Sequence, residues 1–168
     1  MRKTLVLGLG NPILRDDGVG VRVAEMVKAA LPSDAPVEVR QVSVGGLTLM
    51  EAMVGYERVI LVDAFHRRDG RPGTTHRLTL EELQAISPTQ HIASPHDATL
   101  VTALEVGRRM GLPLPEEITI YAVEVENVTE FGEEPTPAVA RAIPQVARAV
   151  LVELGLPTDS SPATDQDL

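Results

Sequence analysis

Apolar residues along this chain follow two rhythms, and their alternation predicts the fold. Leu5-Val6-Leu7 is a continuous apolar run, short enough for a strand buried on both faces. Gly8-Leu9-Gly10-Asn11-Pro12 is expected to stop it, with residues that permit unusual backbone angles or fix a turn. Val19, Val23, Val27 and Leu31 then recur at four-residue spacing, the buried stripe of an amphipathic helix. Ser33 to Pro36 reads as a turn, and Val37 to Val44 alternates as a half-buried strand does. Gly45-Gly46 breaks that strand, and Leu47 to Val54 suits a short helix. Arg58 to Asp63 is a second strand of apolar residues, ending in a carboxylate. Strand, helix, strand, helix, strand is the order of a doubly wound α/β domain with right-handed crossovers.

The second half continues the pattern with more interruption. His66 to Gly73 is a polar loop, and Thr74 to Leu78 suits a short strand, antiparallel at a sheet edge. Thr79-Leu80-Glu81-Glu82 has capping-box spacing and predicts a brief helix to Ala85 or Ile86. Ser87 to Pro95 is irregular. Ser94-Pro95-His96-Asp97 then opens a helix, with Ser94 as N-cap and Pro95 in the first helical position. Leu100 and Leu104 supply its buried face, and Gly111 follows its end. Ile118 to Val123 is a strand, and a charged loop runs from Glu124 to Glu134. Thr136-Pro137 starts the last helix, with Val139, Ile143, Val146 and Val150 as its stripe and Pro144 expected to kink or restart it. Beyond Gly155 the tail holds mostly Pro, Ser, Thr and Asp and is expected to be disordered, leaving one domain over 1–155 and a tail over 156–168.

Composition narrows the chemistry. With 43% hydrophobic residues the chain is not disordered, and with 2% aromatics its core must be aliphatic. A net charge of −9 argues against nucleic acid, because phosphate binding needs a basic face. No apolar run approaches the ~18 residues of a membrane span, and the first strand is no signal peptide. The absence of Cys rules out disulfides and thiolate ligands and fits a cytoplasmic protein, so a metal site must use His and carboxylate.

Between the first turn and the first helix stand two adjacent carboxylates, Asp16 and Asp17. A dinucleotide loop is a weak reading of this stretch. Gly8-x-Gly10 is present, but Ile13 stands where the fingerprint needs a small residue, and two aspartates would repel a pyrophosphate. One aspartate is expected to cap the helix. The other has no structural task visible in the sequence and is a candidate ligand or general base.

Ligands of an open parallel sheet gather beyond the carboxyl ends of the strands, where strand order reverses. Asp17 follows the first strand, Asp63 ends the third, and His96 sits at a helix start, so all three map to that edge. Singly, Asp17 could cap, Asp63 could accept loop N–H groups, and a lone His is more often a hydrogen-bonding residue than a ligand. Together they form a borderline donor set suited to Zn²⁺ or Ni²⁺, with positions left open for substrate.

Four stretches carry a resemblance: GLGNPILRDDGVGVRV, VILVDA, SPHDATL and EPTPAVARAIP. In this order and spacing they resemble the hydrogenase maturation endopeptidases, over roughly Met1 to Leu154. The resemblance implies a three-layer α/β/α sandwich with a mostly parallel, mixed central sheet, of the phosphorylase/hydrolase-like kind. It implies removal of a C-terminal extension from a nickel-iron hydrogenase large-subunit precursor, and a monomeric, cytoplasmic enzyme. Asp17, Asp63 and His96 match the family's metal-binding positions, the metal being nickel brought by the precursor, with Zn²⁺ or Cd²⁺ able to substitute in vitro. Asp17 or Asp63 would then be the catalytic base, since no Cys or clear Ser–His pair is offered.

Two departures from the family pattern stand out. Gly45-Gly46-Leu47-Thr48 replaces Gly-Gly-Thr near the presumed cleft, and Pro135-Thr136-Pro137 replaces Leu-Ser-Pro, leaving Thr136 as a cap. A non-proteolytic nickel-sensing chaperone is a rival reading. Peptidyl-tRNA hydrolases share the opening Gly-Leu-Gly-Asn-Pro, but the histidine that should soon follow is missing, and the first one here is His66.

Overall fold

A computed structural model describes residues 2–43, 45–67, 69–86, 95–156 and 158. The elements are β1 (Thr4–Leu9), α1 (Val19–Ala30), β2 (Val37–Val42), α2 (Gly46–Met53), β3 (Arg58–Phe65), β4 (Thr75–Thr79), α3 (Leu80–Ile86), α4 (Pro95–Arg109), β5 (Glu117–Glu124) and α5 (Pro137–Glu153). A 3-10 turn, Arg15–Gly18, leads into α1. The five strands form one sheet in the order β2-β1-β3-β5-β4, parallel except for β4, which runs antiparallel to β5.

Burial follows position in this sheet. β1 is wholly buried and β3 nearly so, as apolar runs inside a parallel sheet must be. The edge strands β2 and β4 expose much of their length, with Leu78 of β4 the one buried residue among them. On one face Leu5, Leu7, Leu9, Leu61 and Ile120 pack with Leu49 and Met53 of α2 and Leu100 and Leu104 of α4. On the other, Val6, Ile60, Val62 and Val123 pack with Val19, Val23 and Val27 of α1 and Val139, Val146 and Val150 of α5. These two cores make the three-layer α/β/α sandwich. At the far end of α5 the Tyr121 hydroxyl donates to Glu153 Oε2 at 2.7 Å. Burial, helped by that bond, pushes the phenol up to about 12.

Several boundaries differ from those read off the sequence. β1 continues through Gly8 to Leu9, and β3 passes Asp63 to Phe65, because neighbouring strands pair with those residues. The capping box is present: Glu82 N donates to Thr79 Oγ1 at 3.1 Å and Thr79 N to Glu82 Oε1 at 3.3 Å. α5 runs unbroken through Pro144. That proline lies on the exposed face, where the Ala140 carbonyl it leaves without an N–H can turn to water. Val44, Ser94 and nearly all of the tail lie outside the described residues.

Candidate functional site

Strand order reverses between β1 and β3, whose successors cross to opposite sides of the sheet. That switch point is where a parallel sheet opens a crevice at its carboxyl edge. Two glycines let the backbone close around it. Gly20, in the first turn of α1, packs so tightly on the Leu9 and Val62 carbonyls that a Cβ would collide with both. Gly10 has φ +143, and a Cβ there would collide with the Asp17 carbonyl. The start of α1 therefore sits on the ends of both central strands. Asp17 lies three residues before Gly20, and Asp63 directly follows Val62.

The adjacent aspartates have different tasks. Asp16 is fully buried. Its Oδ2 accepts from Glu126 N and Asn127 N, both at 3.0 Å, and its Oδ1 accepts from Thr136 N at 2.7 Å. The Thr136 hydroxyl donates to the same carboxylate at 2.8–3.0 Å. Asp17 is partly exposed, and its Oδ2 accepts from Asn11 N at 2.9 Å. Its Oδ1 accepts no hydrogen bond among the described residues.

Neither aspartate caps α1, and Thr136 does not cap α5 with its side chain, so both capping expectations fail. The Thr136 hydroxyl is spent on Asp16, which ties the β5–α5 loop to the acidic turn. Adjacency of the two aspartates was the sequence signal, but the partners of Asp16 stand more than a hundred residues away.

Asp63 is 3% exposed, and its Oδ1 accepts from Ala64 N at 2.8 Å. Leu61 and Phe65, two residues either way, belong to the core shared with α2 and α4, so alternation points Asp63 to that face. It is in register with Ala122 of β5, which is in register with His76 of β4. His76 was not among the expected site residues. Its Nε2 lies 3.3 Å from Oε2 of the buried Glu124, and its ring stands against Phe65 at 5.8 Å.

His96 is the second residue of α4, as expected, but its side chain lies outside the described residues. The end of this helix is tied to the sheet. Gly55 N donates to Pro113 O at 2.9 Å and Glu116 N to Glu57 O at 3.1 Å, which holds the end of α4 near the start of β3. With 15 residues, rising about 1.5 Å each, α4 brings its first turn to the carboxyl edge. Among the described residues no three His, Asp or Glu side chains group closely enough to hold a metal ion. Concavities of about 430 and 470 Å³ open at the opposite edge, one lined by Arg2, Arg58 and Glu117, the other by Glu81, Arg108 and Glu116. They lie at the amino ends of the strands, away from Asp17 and Asp63.

Residues 21–153 match the family model described as hydrogenase maturation protease. The chain belongs to the hydrogenase maturation protease family. It is thus a hydrolase, an endopeptidase. The protease is 30% identical to the hydrogenase 2 maturation protease of Escherichia coli K12, over 90% of each chain. Its fold matches the hydrogenase maturating endopeptidase HybD from E. coli with a TM-score of 0.77 and 32% identity, covering 92% of this chain and 93% of that one. HybD from Thermococcus kodakarensis matches in fold with a TM-score of 0.70 at 23% identity, covering 92% and 99%. Among the described residues of the protease, no helix is long and apolar enough to cross a membrane.

Proposed function

We propose that this protease removes a C-terminal segment from the precursor of a nickel-iron hydrogenase large subunit, after nickel has been inserted. In this reading Asp17, Asp63 and His96 coordinate the nickel that the precursor carries, and the enzyme acts as a cytoplasmic monomer. What supports it is the packing of Gly20 on the ends of β1 and β3, which leaves Asp17, three residues earlier, and Asp63, next to Val62, both at the switch-point end of the sheet, with the first turn of α4 toward the same edge. At Asp17 one carboxylate oxygen accepts no hydrogen bond among the described residues, and such a donor suits a substrate-borne metal.

The chemistry is peptide hydrolysis. Water attacks the scissile carbonyl carbon, the C–N bond breaks, and the departing amine takes a proton. The chain has no Cys, and among the described residues no Ser side chain is hydrogen-bonded to a His. In this reading a carboxylate serves as the base, and Asp17, more exposed than Asp63, is the better placed of the two. The substrate's nickel would supply Lewis acidity toward the carbonyl. Holding Asp17 is the task of Asn11 N–H and, at one remove, of the buried Asp16 anchor.

The test is incubation of the purified protease with nickel-loaded precursor, with mass spectrometry of the products. Release of a single C-terminal peptide is expected. Binding without release would mean that the chain is a chaperone, and equal cutting of nickel-free precursor would refute nickel recognition.

A further inference from the structure

The β5–α5 loop presents Phe131 to solvent, 83% exposed, in a chain with only two Phe residues. Ile13, 49% exposed, is held beside it by backbone pairing. Gly132 N donates to Ile13 O at 2.8 Å, and Arg15 N donates to Gly132 O at 2.9 Å. Below this pair, Asp16 N donates to Asn127 O at 2.9 Å, and the buried Asp16 carboxylate grips the loop at both ends. Arg15 adopts a left-handed φ of 43, a conformation that L residues other than Asn and Asp adopt at a cost. Backbone strain and a network of hydrogen bonds thus hold two large apolar side chains out in water, four residues and one turn from Asp17. A solvated pair of this kind gains free energy only when a partner covers it.

The rim around the pair is acidic. Glu126, Glu133 and Glu134 are exposed and make no ion pair among the described residues. Glu130 is offset by Arg15 at 3.3 Å, while Arg15 Nε and the Arg22 guanidinium also donate to the Glu134 and Glu133 carbonyls. At a net charge of −9, a second copy of this chain would meet its own acidic rim, and an anionic lipid surface would be repelled as well.

We infer that Ile13 and Phe131, rimmed by Glu126, Glu133 and Glu134, are the surface on which the precursor docks. They grip a segment in which Lys or Arg flanks an apolar side chain, and so deliver the scissile bond to Asp17. This rests on the reading of the chain as the protease of that precursor.

The experiment is steady-state cleavage of purified nickel-loaded precursor by Phe131→Ser, Phe131→Leu and the double variant Glu133→Lys/Glu134→Lys, with precursor binding measured in parallel by calorimetry. Phe131→Ser should raise KM about tenfold with kcat little changed, Phe131→Leu should recover most of the loss, and the charge reversal should raise KM and flatten its salt dependence. Met110→Ser, at a residue 67% exposed near the far end of α4, should leave KM unchanged. Phe131 touches too little for its loss to affect folding, and an unchanged Tm checks this. A Phe131→Ser enzyme with wild-type KM and affinity overturns the proposal, as does a loss of self-association in that variant, which would make the face a dimer contact. If the wild type cuts nothing, the protease reading fails; docking is then judged on calorimetry alone, and equal affinity of wild type and Phe131→Ser overturns it.

Discussion

Replacing Asp16 by Asn should cost this protein far more than the same change at its neighbour. An Asn has the shape of Asp but exchanges one acceptor oxygen for an NH₂ donor. With the amide nitrogen at the Oδ2 place it confronts the N–H groups of Glu126 and Asn127; at the Oδ1 place it confronts that of Thr136. Either way at least one buried N–H faces another donor, and the charge that strengthened the remaining bonds is gone. A hydrogen bond to a charged group contributes about 1.5–3 kcal/mol, and an unsatisfied buried donor costs about 1–3 kcal/mol, so a loss of roughly 2–4 kcal/mol is expected. For a domain of this size each kcal/mol moves the midpoint by about 2–4 °C, which puts the Tm of Asp16→Asn about 4–16 °C below wild type. Thermal unfolding followed by far-UV circular dichroism measures it. At Asp17 only one bond, from the partly exposed Asn11 N, is weakened, and Tm should hardly move. If Asp16→Asn melts within about 2 °C of wild type, the carboxylate is not the anchor of the β5–α5 loop and this reasoning fails.

Other outcomes follow from the same geometry. Asp17→Asn should abolish release of the C-terminal peptide while the variant still folds; normal processing by it, with Asp16→Asn folded but inactive, would show the pair wrongly assigned. Stripping nickel from the precursor should leave it uncut even at high enzyme concentration, and His96→Ala should weaken binding of the nickel-loaded form alone; rapid cutting of nickel-free precursor with Zn²⁺ added to the enzyme would contradict both. Gly20→Ala should destabilise by about 1–3 kcal/mol, since its Cβ meets two backbone carbonyls, and denaturant titration would detect it. Above pH 10 stability should fall. Burial first, then the bond to Glu153, holds Tyr121 protonated to about 12, and burial also raises Tyr56. The unfolded chain releases those protons first, near about 10, so stability is full below that pH and is lost through the window up to 12. A Tyr121→Phe variant should lose part of the decline, and an identical alkaline profile would refute the assignment.

Much of the architecture was legible because it depends on local pattern. Continuous apolar runs mark β1 and β3 as strands buried on both faces, and alternation marks β2 as a half-buried strand. The spacing of Thr79 and Glu82 produces the reciprocal cap observed, and Pro95 opens α4, since each of these relations spans a few residues only. The family was legible too, from four motifs in order. Strand ends were less so, because pairing with neighbours rather than composition decides where β1 and β3 stop. Pro144 does not break α5, because its exposed side lets water satisfy the orphaned carbonyl.

The site divides in the same way. The sequence by itself placed Asp17 after the first apolar strand and Asp63 near the end of the third, so both were legible as residues of the sheet's carboxyl end. Only the tertiary structure showed that Asp16 is the buried anchor of the pair while Asp17 stays partly exposed. Their roles depend on whether donors from Glu126, Asn127 and Thr136 arrive, and those donors are brought from 110 to 120 residues away by the β5–α5 connection. The same long-range closure sets Phe131 beside Ile13 and His76 in line with Asp63. Local sequence carries propensities over one turn or one strand; which distant N–H reaches which buried oxygen is settled only when the whole sheet is assembled.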